Sequence, residues 1–362
     1  MISESELQEL AGFESKGSAV LSLYLNTDLK QQLKEQCKLV LRSLLERVEG
    51  PASEKDVAKV ERFFELEYDW QARSVAIFSL AEKKLWRVYP LTVPVASDVY
   101  VGDRLYLKPL TQLLDEHDRY GVVLIDRESA RFLLINLGQI EEKSEWIGRD
   151  LKHHKQGGFA ASRYQRHVNK QAEQNLKLAA EATIRFCKES RCSGIILGGA
   201  DDTLAQFEAM LPKVLQKQIV GTIGVDMAAS ATEVMHRSTG LIQEEEHRRK
   251  QKLVDDMITA TAKGAGAVIG LADAFYVAHE GRVHTLIVER DFEADGYLCD
   301  GCNYVSAEPI AKCPFCGGKP QLVHGAVNRV IQRVIEAGGK VETVRGSEAL
   351  AKAGHIGAIL RY

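Results

Sequence analysis

Four cysteines carry the clearest chemistry in this chain: Cys299-Asp-Gly-Cys302, ten residues, then Cys313-Pro-Phe-Cys316-Gly317. Two C-x-x-C turns at short separation can place four thiolates at the corners of a tetrahedron, the geometry that Zn²⁺ prefers. Four protein ligands leave no open position, so the expected zinc is structural. Two disulfides or idle thiols are the competing reading, and an acidic N-terminus without a secretory signal, which points to a reducing compartment, speaks against it. Cys37 and Cys187 fall on apolar helical faces, and Cys192 has no partner motif.

The second chemical stretch is KHHKQGGFAASRYQRH, Lys152 to His167. From Arg149 to Lys170 there are six Lys/Arg, three His and one Asp. Lys152, His153, His154 and Lys155 form one cationic wall ahead of the glycines. Arg163, Arg166 and Lys170 lie at i, i+3 and i+7, one face of a helix starting soon after them, and such a stripe suits a phosphate backbone. Gly157 and Gly158 let backbone N–H groups approach a ligand closely, and a helix N-terminus adds partial positive charge. A flexible, solvated connection is the plain alternative. A metal site from His153, His154 and His167 is opposed by the neighbouring cations. Neither G-x-G-x-x-G nor G-x-x-x-x-G-K-[ST] occurs, so this is no ordinary nucleotide loop. Gly198-Gly199 followed by Asp201 and Asp202 would suit a metal-dependent nuclease, but acidic residues in a first helical turn explain it more simply.

The elements that hold these residues follow from hydrophobic periodicity. With 362 residues, 45% hydrophobic and 27% charged, the chain is expected to form two or three domains. Its formal charge of −3 excludes a uniformly basic coat and confines any nucleic-acid contact to a local patch. No apolar run approaches the ~20 residues of a bilayer span, and a cytoplasmic location is expected. Strands are predicted over Ala19–Asn26, Ser74–Leu80 and Lys84–Leu91, with helices over Leu33–Val48 and through Val57, Val60, Phe63 and Phe64. Gly121–Asp126 and Ala130–Leu137 read as a hairpin, followed by a helix through Val168, Ala172, Leu176, Ala179, Thr183 and Phe186. The strands GIILGG and QIVGTIGVD enclose a further helix, and a long helix runs from about Thr232 to Lys263. Its EEEHRRK segment pairs Glu and Arg/Lys at i,i+4 and reads as a solvated face. The expected fold is thus α/β in three domains. These are residues 1–118, an N-terminal α/β domain; 119–245, a mixed sheet with packed helices carrying the Gly-Gly loop; and 246–362, an α/β/α sandwich with a zinc ribbon at 299–316.

Two stretches resemble a known family. GGFAASRYQR, Gly157–Arg166, is similar to the G-G-Q-S-x-x-R-F-x-R loop of archaeal and eukaryotic class-1 peptide-chain release factors. It keeps Gly157, Gly158, Arg163 and Arg166, with Tyr164 in place of phenylalanine. The C-terminal segment is similar to domain three of the archaeal factors, with its C-x-x-C…C-P-x-C-G ribbon and a close on HIGAILRY. The resemblance covers Tyr120 to Tyr362 and places the chain as a bacterial-type relative in the release factor and Pelota superfamily. It implies a ribosome-associated factor acting on peptidyl-tRNA, with rRNA contacts and a translational GTPase as partner. Phe159 stands where the family has glutamine and Ala160 where it has serine; neither N-I-K-S nor Y-x-C-x-x-x-F occurs in the N-terminal segment. Ribosome rescue without stop-codon reading is therefore expected. Two forms lead: a peptidyl-tRNA hydrolase working through Gln156, Gly157, Gly158 and the Phe159 N–H, and a non-catalytic ribosome or tRNA binder; a nuclease using carboxylates such as Asp126, Asp201 and Asp202 ranks third.

Overall fold

The structure, a computed structural model, describes residues 4–13, 15, 18–48, 51–115, 118–136, 138–147 and 161–362. It is a mixed α/β chain in two compact units, one made of Met1–Glu116 with Arg249–Tyr362, the other of His117–Arg248.

The first unit opens with α1 (Glu4–Ala11), β1 (Val20–Asn26), α2 (Lys34–Leu45), α3 (Pro51–Leu66), β2 (Ser74–Leu80), β3 (Leu85–Leu91), β4 (Asp98–Gly102) and α4 (Lys108–Asp115). The sheet order is β3-β2-β1-β4, antiparallel throughout, with Leu23 opposite Ile77. β1 and β2 are central and buried on both faces, which explains their unbroken apolar runs. Cys37, Leu41, Leu44 and Leu45 of α2 meet Val60 and Phe64 of α3 in the core below. Leu33 and Val40 share the apolar spacing of α2 with Cys37, Leu41, Leu44 and Leu45 but are exposed. Leu33 is the N-cap residue, its N–H donating to the Gln36 side chain at 2.8 Å.

The second unit contains β5 (Tyr120–Ile125), β6 (Ser129–Asn136), β7 (Gln139–Ile147), α5 (Ala161–Ser190), β8 (Gly194–Gly198), α6 (Asp201–Met210), α7 (Lys213–Gln216), β9 (Ile219–Ile223) and the start of α8 (Ala231–Ala262). Its five strands are ordered β7-β6-β5-β8-β9. β5, β6 and β7 pair antiparallel, whereas β5–β8 and β8–β9 are parallel. Alternation along β5 sends Val123 and Ile125 to Leu176, Ala179 and Phe186 of α5, and Val122 and Leu124 to the face shared with Val234. The sheet is therefore covered on both sides.

The first unit is completed by the end of α8 and by β10 (Ala267–Ile269), α9 (Leu271–His279), β11 (Val283–Glu289), β12 (Gly296–Cys299), β13 (Val305–Ser306), β14 (Pro320–Val323), α10 (Ala326–Glu336), β15 (Lys340–Val344), α11 (Glu348–Lys352) and β16 (Ile356–Leu360). The main sheet is β10-β16-β11-β15, with β11 and β15 parallel, and a small antiparallel sheet β13-β12-β14 carries Cys299 at the end of β12, with Cys302 in the turn that follows. Val254 and Met257 of α8 pack with Ile287 and Val344. The EEEHRRK segment is not a wholly solvated face. Arg248 pairs with Glu245 at i,i+3, but Arg249 reaches Glu342 at 3.0 Å and buried Lys250 donates to the Thr343 carbonyl at 2.8 Å.

The chain's first and last segments are joined by polar contacts. Arg104 pairs with Glu336 and Arg329 with Asp103, both at 2.5 Å. Buried Lys108 reaches Glu293 at 2.6 Å and the Phe292 carbonyl at 2.8 Å. The Gln112 amide donates to the Arg290 carbonyl at 2.7 Å, and that of Gln332 donates to the Leu105 carbonyl.

Candidate functional site

The four ribbon cysteines converge. Sγ of Cys299 lies 3.3 Å from that of Cys316, Sγ of Cys302 lies 3.5 Å from that of Cys313, and all four lie within 4.8 Å of one another. Thiolates around Zn²⁺ at about 2.3 Å stand roughly 3.8 Å apart, so the set fits a tetrahedral ion. All seven cysteines are free thiols. The turns are built for crowding: a Cβ on Gly301 would stand 2.9 Å from Cys316 Sγ, and one on Gly318 would stand 2.8 Å from Cys299 Sγ. Gly317 adopts φ +76°, a conformation that side chains resist. The Gly301 N–H points at Cys299 Sγ at 3.4 Å, helping to hold a thiolate. Among the described residues this is the one group of three or more His, Cys, Asp or Glu placed to hold a metal ion.

Sequence reading missed how the ribbon is seated. Phe315, between the second pair of cysteines, packs against Tyr276 at 5.1 Å, His279 at 4.4 Å and Tyr304 at 4.9 Å between ring centroids. Burial, with Arg333 nearby, holds the His279 imidazole below its usual range, which suits a ring used for packing. The only sequence signal was an apolar residue inside a C-x-x-C turn.

Of the basic loop, Lys152, His153, His154, Lys155, Gln156, Gly157, Gly158 and Phe159 lie outside the described residues. Arg163 falls in the first turn of α5, and its side chain is likewise outside them. Arg166 and Lys170 stand exposed on α5 one turn apart. The hairpin turn between β5 and β6 adds a cation, because Arg127 donates to Asn169 at 3.0 Å while Asn175 donates to the Arg127 carbonyl at 3.2 Å.

The carboxylates considered for a nuclease do not gather. Asp126 brackets its own turn, accepting from the N–H groups of Glu128 at 2.7 Å and Ser129 at 2.6 Å. Asp201 and Asp202 occupy the exposed first turn of α6, where the helix dipole favours them.

Comparison with known proteins adds a family. Residues 106–243 match bacterial archaeo-eukaryotic release factor family 10. The curated relatives it is similar to are archaeal peptide chain release factors. Peptide chain release factor subunit 1 of Pyrococcus abyssi is 22% identical, over 99% of this chain and 97% of its own length. The protein of the same name from Methanocaldococcus jannaschii is 24% identical, over 98% of this chain and 96% of its own. A structure of ribosome-bound archaeal Pelota with ABCE1 aligns over 99% of this chain and 94% of its own at 12% identity, with a TM-score of 0.43. In this release-factor-like chain the family match spans the basic loop, whereas the four cysteines lie beyond it. No described helix is long and apolar enough to cross a membrane.

Proposed function

We propose that this chain is a ribosome-associated factor of release-factor type that releases peptide from peptidyl-tRNA in ribosome rescue rather than in stop-codon reading. One observation carries the reading. The GGFAASRYQR loop and the four-cysteine ribbon stand in family order in a chain aligned nearly end to end with archaeal release factors. Release requires water to attack an ester. Positioning by the ribosome supplies much of the rate, so the protein need not carry a triad. Its own contribution in this reading is the Gly157-Gly158 backbone, which has no side chain to bar approach to the ester, and the Phe159 N–H as a donor to the oxygen where negative charge develops. Removing one such donor costs ~3–4 kcal/mol in well-studied hydrolases. Gln156, next to the glycines in sequence, supplies a side-chain amide for orienting water. Lys152, His153, His154, Lys155, Arg163, Arg166 and Lys170 neutralise phosphate along tRNA and rRNA. Cys299, Cys302, Cys313 and Cys316 hold a structural Zn²⁺, and a translational GTPase delivers the factor.

Phe159 in place of the family glutamine favours a second reading, a non-catalytic binder whose loop occupies the site. Incubation with stalled ribosomes carrying peptidyl-tRNA separates the two. The first reading expects free peptide and intact tRNA, with release abolished by Gly158→Val while binding persists. Saturable binding without peptide release selects the second. Cleaved RNA sinks both.

A further inference from the structure

A cleft of about 570 Å³ opens where β11 and β15 end, lined by Glu289, Arg290, Asp291, Phe292, Arg345, Gly346 and His355. β11 and β15 are parallel neighbours, with Glu289 opposite Val344, so the residues following each strand share one edge of the sheet. The crevice outside the carboxyl ends of parallel strands is where open α/β sheets bind ligands. This edge is constructed rather than loose. The Arg290 N–H donates to the Val344 carbonyl at 2.9 Å, tying the segment after β11 to the end of β15. From the N-terminal segment, Gln112 fixes the Arg290 carbonyl and buried Lys108 fixes that of Phe292. His355 adopts φ +65°, is hydrogen-bonded to Glu289 through Nδ1, and stacks on Phe292 with ring centroids 5.0 Å apart and planes 15° off parallel. A non-glycine residue held at positive φ beside a cleft marks a conformation that the surroundings enforce.

We propose that this cleft binds a nucleotide. Arg290 and Arg345 supply guanidinium groups for a phosphate, a pairing that Arg geometry favours. The Phe292–His355 stack supplies a flat aromatic wall for a base, whose π-face stacks on aromatics without regard to sequence. Glu289 is engaged with His355, which leaves the exposed Asp291 as an acceptor for a sugar hydroxyl. That mixture of two cations, a planar wall and one acceptor suits a nucleoside monophosphate better than a bare anion. The same nucleotide can come free or as part of a single RNA strand.

The test titrates the full-length protein with adenosine monophosphate, with inorganic phosphate and with a short oligoadenylate, by calorimetry at low salt. Adenosine monophosphate should bind more tightly than phosphate, and Phe292→Ala should remove that advantage. Arg345→Glu should weaken the nucleotide about tenfold or more, and Arg345→Lys, which keeps the charge, should weaken it less. Oligoadenylate binding more tightly than the mononucleotide, and losing as much to Arg345→Glu, would identify a strand as the source. The proposal is overturned if none of the three probes saturates at millimolar concentration. It also fails if Arg345→Glu leaves binding unchanged, or if phosphate alone binds as well as the nucleotide.

Discussion

Gly199 follows β8 with φ +148°, and a Cβ there would stand 2.3 Å from the Ile125 carbonyl oxygen. Gly199→Ala should therefore cost about 1–3 kcal/mol in strain, read as a lower urea midpoint at constant slope. The cysteines make a second residue-scale case. The purified protein should carry one zinc ion per chain, and Cys313→Ser should lose it. Metal analysis of the two proteins decides the ligand set, and chelation should lower the thermal stability of the wild type. A third case is pH. Burial would raise the Asp28 carboxyl, but its hydrogen bond to Arg73 and the Lys30 N–H outweigh that and hold it below the usual carboxylate range. A group with a depressed folded value stabilises above its unfolded value and loses that stabilisation as the acid form returns. The stability gap between wild type and Asp28→Asn should thus be full near neutrality and shrink as pH falls below about 4. Urea midpoints of both proteins across that window provide the measurement, and a gap that widens in acid would contradict the assignment.

Elements with a pattern stronger than their surroundings were legible from sequence. β2 runs Ser74–Leu80 as read, and β5 and β6 form the expected hairpin. The elements that escaped are those whose identity comes from partners. β7 is an edge strand with Glu141, Glu142 and Lys143 exposed, and it exists because Gly138, at φ +65°, lets β6 turn back on itself. β4 is half-buried along its length and, among the described strands, pairs with β1 alone. The same division governs the sites. The cysteine cluster was readable because both pairs are local, whereas the cleft joins residues 289–292 to 345, 346 and 355 through sheet pairing that no local pattern announces. α8 shows the limit of charge patterning, since i,i+4 spacing cannot tell a solvated lysine from Lys250, which ends on a strand carbonyl. Lys250→Met keeps the packed stem and loses that bond, at an expected cost of about 1.5–3 kcal/mol. Lys252→Met, on an exposed position of the same helix, should stay within about 0.5 kcal/mol. Equal urea midpoints for the two variants would return the segment to a solvated face.

At the scale of the whole molecule, the described strands form three larger sheets and one small one, and we propose three domains with boundaries near residues 118 and 245. The first and third are nevertheless one compact unit, because charged and amide side chains cross between them. Lys108 is the strongest of these links, since its ammonium is buried and makes two contacts to the chain after β11. Removing it strands the Phe292 carbonyl and leaves Glu293 without its partner, whereas Glu293 itself is exposed enough for water to compensate. The expected cost of Lys108→Ala is about 1–3 kcal/mol, below that of a fully buried pair. Arg329→Ala, which releases the half-exposed Asp103, should add a smaller amount. The two sites lie on one interface, so their combined effect tests whether the segments melt together. In calorimetry the residues 1–116 and 249–362 should unfold in one transition, which the double variant lowers while the transition of residues 117–248 keeps its midpoint. Hydrogen exchange assigns each transition to its strands. If β1 and β11 lose protection at different temperatures already in the wild type, the two segments are independent domains and the buried lysine is only a local contact.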